Sequence, residues 1–268
     1  MDKTLALVDG ATLFYREEGR GLPVVLLHGF AEDGAIWDFQ PDTLKNNYRL
    51  LIPDLRGSGR SAALTETTSM EALAEDLRHL LDQEGIGQCI LIGHSMGGYI
   101  SLAFAEKYPE RLLALGLFHS TAYPDSEEKK AARRKAIEFI RGNGAAAFIK
   151  QSTPNLFSAA TRGDRPDLVA AIIERYSVFT PEALISYYEA MINRPDRTAV
   201  LTSLNRPILF VIGAYDQAVS PGQALEQSHL PSLSHIHILE NSAHMGMLEE
   251  TSRSNNILHT FINFVTAS

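Results

Sequence analysis

Three residue types in this chain can cooperate to make a nucleophile: a serine in "GHSMGG" (Ser95), an aspartate in "GAYDQ" (Asp216) and a histidine in "NSAHMG" (His244). A serine hydroxyl alone is weak at neutral pH and gains strength only when a base takes its proton as it attacks. Imidazole suits that exchange, and a carboxylate behind it holds the right tautomer and stabilises the cation. Ser95 sits in the pattern Gly93-x-Ser95-x-Gly97, directly after the apolar run "CILI". Small residues on both sides let a strand turn tightly into a helix, with the serine in a strained backbone conformation. That turn puts the hydroxyl at a helix N-terminus, where free N–H groups and the helix dipole favour developing negative charge. "HGF" (His28–Phe30) also follows an apolar run. The backbone N–H groups of Phe30 and Met96 can therefore meet as an oxyanion hole, each donor worth roughly 2.7–4 kcal/mol to a transition state. Their side chains are then free to line the pocket, and Gly98 lets the helix pack closely.

The elements that must position these residues are legible as periods. "KTLALVD" and "ATLFYREEG" meet at Asp9-Gly10, a hairpin signal. "LPVVLLHG", "YRLLIPDLRGSG", "CILIGHSMGG", "LLALGLFHS" and "PILFVIGAYD" are near-continuous apolar runs that end in polar residues. Strands buried on both faces of a parallel sheet have this composition. Helix-period segments lie between them, at Met70 to Gln83, Ser95 to Lys107 and Glu249 to Val265. Alternation of this kind predicts an α/β fold with a mostly parallel sheet. From about Tyr123 to Arg197 the pattern is helical only, with breaks at "RGNG", "STPN", "RGDRPD" and "FTPEA". That block is expected to cap the C-terminal edge of the sheet, where open parallel sheets bind ligands. His28, Asp54, Ser95, His119 and Asp216 all fall at predicted strand ends.

Composition bounds the function. With 268 residues, 45% of them hydrophobic, the chain can bury a large core. A formal charge of −8 argues against nucleic acid or an anionic membrane as partner. The one dense basic stretch, "KKAARRK" (Lys129 to Lys135), is flanked by Glu127, Glu128 and Glu138 and reads as a solvated helix face. A single cysteine, Cys89, excludes an internal disulfide and reads as core filler. No apolar segment has the length of a membrane span or a secretory leader, so a cytoplasmic location is expected.

Taken in order, "HGF", "DLRGSGRS", "GHSMGG", "GAYD" and "NSAHMGMLEE" resemble the α/β-hydrolase superfamily over essentially the whole chain. The resemblance implies an eight-stranded sheet flanked by helices, with a helical cap inserted after strand 6. It divides the chain into a core (1–121 and 200–268) and a cap (122–199) that form one structural unit. It also implies Ser95 as nucleophile, Asp216 as acid, His244 as base, Phe30 and Met96 as oxyanion donors, and no cofactor or metal. The expected activity is hydrolysis of small to medium carboxylic esters bearing an apolar group. C–C bond hydrolases and peptide hydrolases use the same triad, but often carry Gly-Pro-Gly after the HG, where this chain has "HGFAEDG". A ligand receptor on the same fold is the alternative of a different class. Dehalogenases and epoxide hydrolases of the superfamily use an aspartate nucleophile, which Ser95 argues against.

Other polar residues have plainer readings. Asp54 and Arg56 are expected to brace a loop, and His28 and His94 to be structural, with His94 pointing away from the site. Asp125 is a reserve candidate for the acid. His235 and His237 share one face of a short strand but lack a third metal ligand at convincing spacing. The aromatic residues of the cap (Phe139, Phe148, Phe157, Tyr176, Phe179, Tyr187, Tyr188) and Met191 are expected mostly to pack helices, with a few roofing the cleft.

Overall fold

Each apolar run becomes a strand, and all the strands join one sheet. The computed structural model describes residues 1–64 and 67–267. β1 (Asp2–Ala6) and β2 (Thr12–Glu18) form the expected hairpin, with Ala6 opposite Thr12. There follow β3 (Leu22–Leu27), β4 (Tyr48–Pro53), β5 (Cys89–His94), β6 (Leu112–Phe118), β7 (Ile208–Gly213) and β8 (Ser234–Leu239). Their spatial order is β1-β2-β4-β3-β5-β6-β7-β8. β2 runs antiparallel to both neighbours and every other pairing is parallel. The chain order reverses between β3 and β5, so the loops after those two strands diverge and leave a crevice at their carboxyl ends.

Helices α1 (Pro41–Leu44), α2 (Met70–Gln83) and α3 (Met96–Lys107) precede β6. In α2, Ser69 caps the N-terminus by accepting from the Ala72 N–H at 3.1 Å. Met70, Leu73, Leu77, Leu80 and Leu81 give it one buried stripe. α3 is instead buried from Met96 through Ala105, because it lies between the sheet and α2.

Between β6 and β7 the described elements are helical: α4 (Glu127–Asn143), α5 (Ala145–Ser152), α6 (Ala159–Asp164), α7 (Pro166–Tyr176), α8 (Pro181–Asn193) and α9 (Thr198–Ser203), with a 3-10 turn at Thr153–Leu156. Gly144, at φ 84°, separates α4 from α5. The helical stretch runs past Arg197, where the sequence pattern ended it. Asp196 restarts it by accepting from both the backbone N–H (2.7 Å) and the hydroxyl (2.6 Å) of Thr198.

α10 (Pro221–Gln227) follows β7. The terminal helix expected from Glu249 to Val265 is two helices, α11 (Gly246–Glu249) and α12 (Thr251–Ala267). Glu250 leaves the helical region (φ −122°, ψ 58°). Its carboxylate is drawn aside to accept from the Asn241 N–H at 2.9 Å and the Ser242 hydroxyl at 2.7 Å. No helix among the described residues is long and apolar enough to cross a membrane.

The core centres on β3, β5, β6 and β7, where Val24 to Leu27 and Cys89 to Ile92 are fully buried. Replacing Leu26 by Ala removes methyl groups from a position with 0% exposure. It is expected to lower stability by about 3 kcal/mol. Val178→Ala, at a residue 82% exposed, should stay within about 0.5 kcal/mol. The two urea midpoints test the difference.

Candidate active site

The strand-to-helix turn after β5 holds Ser95 at φ 52° and ψ −116°, a conformation a non-glycine residue adopts only under external constraint. Two neighbours supply the constraint. The Ser95 N–H donates to Phe118 O at 2.9 Å, and Ser95 O accepts from the Ser120 hydroxyl at 2.7 Å. A Cβ on Gly93 would lie 2.3 Å from the Gly97 carbonyl, and one on Gly97 would lie 2.6 Å from His28 O. Both positions therefore need glycine because main chain passes too close for anything larger. The backbone N–H groups of Phe30 and Met96 have no acceptor among the described residues. The Phe30 ring lines the cavity as expected, whereas the Met96 side chain is buried in the core and is not part of the cavity wall. It points inward because α3 is enclosed on all sides.

His244, between β8 and α11, directs Nδ1 at Asp216 Oδ2, 2.8 Å away. Both residues are about 4% exposed. The other oxygen of Asp216 accepts from the N–H groups of Ala218 (2.8 Å) and Val219 (2.9 Å). Burial by itself raises the Asp216 pKa. The charges and hydrogen bonds of His244 and His119 outweigh it and hold the carboxylate far below its ordinary range. His119, at the end of β6, has φ 49° and its Nε2 accepts from the Gly246 N–H at 3.2 Å. Burial is the chief influence on this ring, and it lowers the pKa to about 4 despite the pull of Asp216. The neutral ring therefore carries its proton on Nδ1, which faces Asp216 Oδ2 across a long 3.5 Å contact.

Glu32 and His94 lock the crevice from beneath. His94 Nδ1 is 2.9 Å from Glu32 Oε2, and Nε2 is 3.0 Å from the backbone oxygen of His244. Both partners are acceptors, so only a doubly protonated ring satisfies them. Burial opposes that charge, but the Glu32 carboxylate overrides it and raises the His94 pKa. Glu32 is likewise driven up by burial and brought back below its ordinary value by His94 and the Gly29 N–H. Glu249 holds the loop from its other side. One oxygen accepts from the Ala243 N–H at 2.8 Å, and the second from the Ser158 N–H and the Thr161 hydroxyl, both at 2.8 Å.

These parts surround one cavity of about 280 Å³. Ser95, His244, Phe30 and Glu32 enter from the sheet, Val219 and Ala218 from the loop after β7, and Tyr188, Met191, Ala136, Lys129 and Arg133 from the helices. Of the aromatic residues between β6 and β7, Tyr188 roofs this space, stacked on Phe30 at 4.2 Å. Phe148 and Tyr176 line a smaller apolar recess beside it. Lys129 and Arg133 correct the expectation of a solvated basic face. They stand four residues apart on α4, and the helical period turns both toward the cavity.

The sequence model of the alpha/beta hydrolase fold matches residues 23–251. The chain belongs to the alpha/beta-hydrolase fold family. A thermophilic esterase from Thermogutta terrifontis, solved with malate bound, superposes with a TM-score of 0.93 at 31% identity over 99% of both chains. Lipase 1 of Psychrobacter immobilis is 27% identical over 92% of this chain and 79% of its own length. Epoxide hydrolase 4 of Mus musculus is 40% identical, but over only 36% of this chain and 28% of its own. With lipase and esterase relatives along its whole length, the protein is a hydrolase.

The remaining polar candidates of the hydrolase lie in its framework. Asp54 accepts from the N–H groups of Gly34 and Arg60, both at 2.8 Å. Arg56 forks onto Asp76 at 2.7 and 3.0 Å, and His28 Nε2 accepts from the Leu55 N–H at 2.9 Å. Asp125 meets Arg133 and Arg194, and among the described residues makes no contact with His244. His235 packs on Phe261 along the edge strand β8. Burial pushes the Cys89 thiol up to about 12, an inert core position. Among the described residues the donor atoms of His119, Asp216 and His244 come within 4.8 Å of one another. With Nδ1 of His119 protonated and Nε2 engaged by Gly246, that ring has no lone pair to give a metal.

Glu32→Gln leaves the His94 cation without its counter-charge, which should cost about 3–5 kcal/mol and lower the Tm by on the order of 10 °C. The Glu32 contribution exists above the ordinary carboxylate value of 4.5 and fades as pH falls through its lower folded value. That of His94 is complete below its ordinary 6.5 and fades as pH rises through its higher folded value. The stability gap between wild type and variant, measured by thermal unfolding, should therefore be widest between pH 4.5 and 6.5.

Proposed function

We propose that this hydrolase cleaves small to medium carboxylic esters bearing an apolar group, through an acyl-enzyme on Ser95. The observation that carries the reading is the Ser95 turn sharing a cavity with His244, whose far nitrogen is bonded to the buried carboxylate of Asp216. In the first half-reaction Ser95 Oγ attacks the ester carbonyl and its proton passes to His244 Nε2. The carbonyl oxygen becomes an oxyanion, which the Phe30 and Met96 N–H groups receive. Collapse of the tetrahedral centre breaks the bond to the alcohol, and Nε2 returns the proton to the departing alkoxide. Water then repeats the sequence and releases the acid and the free serine. Asp216 keeps Nδ1 protonated throughout and stabilises the imidazolium.

Ester is preferred to amide because alcohols leave more readily than amines. The lipase and esterase relatives support the same choice. The aromatic and aliphatic wall formed by Phe30, Tyr188 and Met191 supports an apolar group next to the carbonyl.

Ser95→Ala should reduce turnover of 4-nitrophenyl acetate and butanoate by about 10⁴-fold or more and abolish labelling by a fluorophosphonate probe. Asp216→Asn should leave labelling detectable but slow turnover by about 10²- to 10⁴-fold, since the imidazole loses its enforced tautomer. Wild-type rates in the serine variant would refute the mechanism. A single stoichiometric burst from the unaltered protein would favour the ligand receptor.

A further inference from the structure

Resting on that ester reading, we propose that the substrate carries a carboxylate remote from the scissile bond, received by Arg133 and Lys129 on the α4 side of the cavity. The cavity wall holds more positive charge than the protein neutralises. Arg133 donates to Asp125 from Nε at 2.6 Å and from Nη2 at 3.4 Å, and Arg194 approaches the same carboxylate at 3.0 Å. One carboxylate thus serves two guanidinium groups. Arg194 is occupied further by the carbonyls of Met191 and Tyr123 and by the face of Tyr99 at 3.9 Å. Nη1 of Arg133 has no acceptor among the described residues, and Arg133 lines the cavity.

Lys129 has no carboxylate partner among the described residues. Its ammonium donates once, to Ala218 O at 2.6 Å, which leaves two of three donors for a ligand. Of the other cations on α4, Lys130 is paired with Glu127 and Arg141 with Glu138, while Arg134 and Lys135 are exposed and outside the cavity wall.

Apart from Asp125, which the two guanidinium groups share, the nearby carboxylates are already engaged. Glu32 in the wall is tied to His94, and Asp216 stands behind His244 with both oxygens engaged. The uncompensated charge in the cavity is therefore positive and sits on α4, so a molecule with its carbonyl at Ser95 is drawn to place an anion against Lys129 and Arg133. Tyr188, Met191 and Ala136 would meet the aliphatic stretch between. A fixed guanidinium edge and an ammonium are the groups that bind carboxylate with short, charge-assisted hydrogen bonds.

Two ester series place the anion on either side of the bond. Monoethyl esters of succinate, glutarate and adipate carry it on the acyl group, while O-acetyl esters of glycolate, 3-hydroxypropanoate and 4-hydroxybutanoate carry it on the alcohol. Each is compared with an uncharged ester of equal length. In one series kcat/KM should favour the anionic member by about tenfold or more. In Lys129→Met and Arg133→Met that ratio should fall towards one, carried by KM. Arg133→Met also releases Asp125, so Lys129→Met, which loses only a carbonyl contact, carries the decision. Lys130→Met, outside the cavity, should keep the ratio. A ratio at or below one in both series overturns the carboxylate site, while turnover of the uncharged esters leaves the ester reading standing. If no ester of either kind is turned over, the ester reading fails, and calorimetric titration with glutarate and adipate decides the carboxylate site. Binding that Lys129→Met weakens by about tenfold upholds the site, and absence of binding overturns it.

Discussion

At the Ser95 turn the main chain of α3 comes so near to β3 and β5 that a methyl group at Gly93 or Gly97 would overlap backbone atoms. The contact fixes where the helix begins, and the helix start fixes the serine. Because Phe118 O and the Ser120 hydroxyl hold the Ser95 peptide from both sides, β6 shares in the constraint. Three adjacent strands thus set the position of one hydroxyl. Strain of about 1–3 kcal/mol at such a residue persists because the sheet around it is fully buried and has nowhere to relax.

Carboxylates do for the loops what the sheet does for the turn. Asp54, Asp216, Glu249 and Glu250 each accept from two or more donors in irregular segments, backbone N–H groups among them, and Glu32 joins a backbone N–H to an imidazolium. Loops at the carboxyl edge of a parallel sheet lack ladder partners for these groups, and a buried unpaired N–H is costly. An acceptor that takes two bonds at once satisfies the donors and fixes the loop geometry. His244 depends on this arrangement directly: Glu249 holds the N–H groups beside it, and the cationic His94 holds its carbonyl.

The fold is common to enzymes of many chemistries, so function resides in the site rather than in the scaffold. Here the helices between β6 and β7 bring Tyr188, stacked on Phe30 of the loop after β3, and the basic side chains of α4. The loops at the strand ends contribute Ser95, His244 and Glu32.

The local sequence determined the strands, the helix starts and the spacing around Ser95, because these depend on periodicity, capping residues and small residues at close approaches. α2 spans the Met70 to Gln83 segment its pattern predicts, since Ser69 and a stripe of leucines act within a few residues of each other. Ser95, Asp216 and His244 were legible as strand-end and loop residues in family order. Tertiary structure alone decided the rest. Glu32 and Glu249 have no local signal, for their partners lie up to 91 residues away. The break at Glu250 arises because its carboxylate turns back to Asn241 and Ser242. The basic run on α4 reads as solvent-facing from composition, yet the packing of that helix against α8 and α5 leaves Lys129 and Arg133 on the cavity wall. Burial and long-range pairing are properties of the packed chain, and no stretch of the linear sequence carries them by itself.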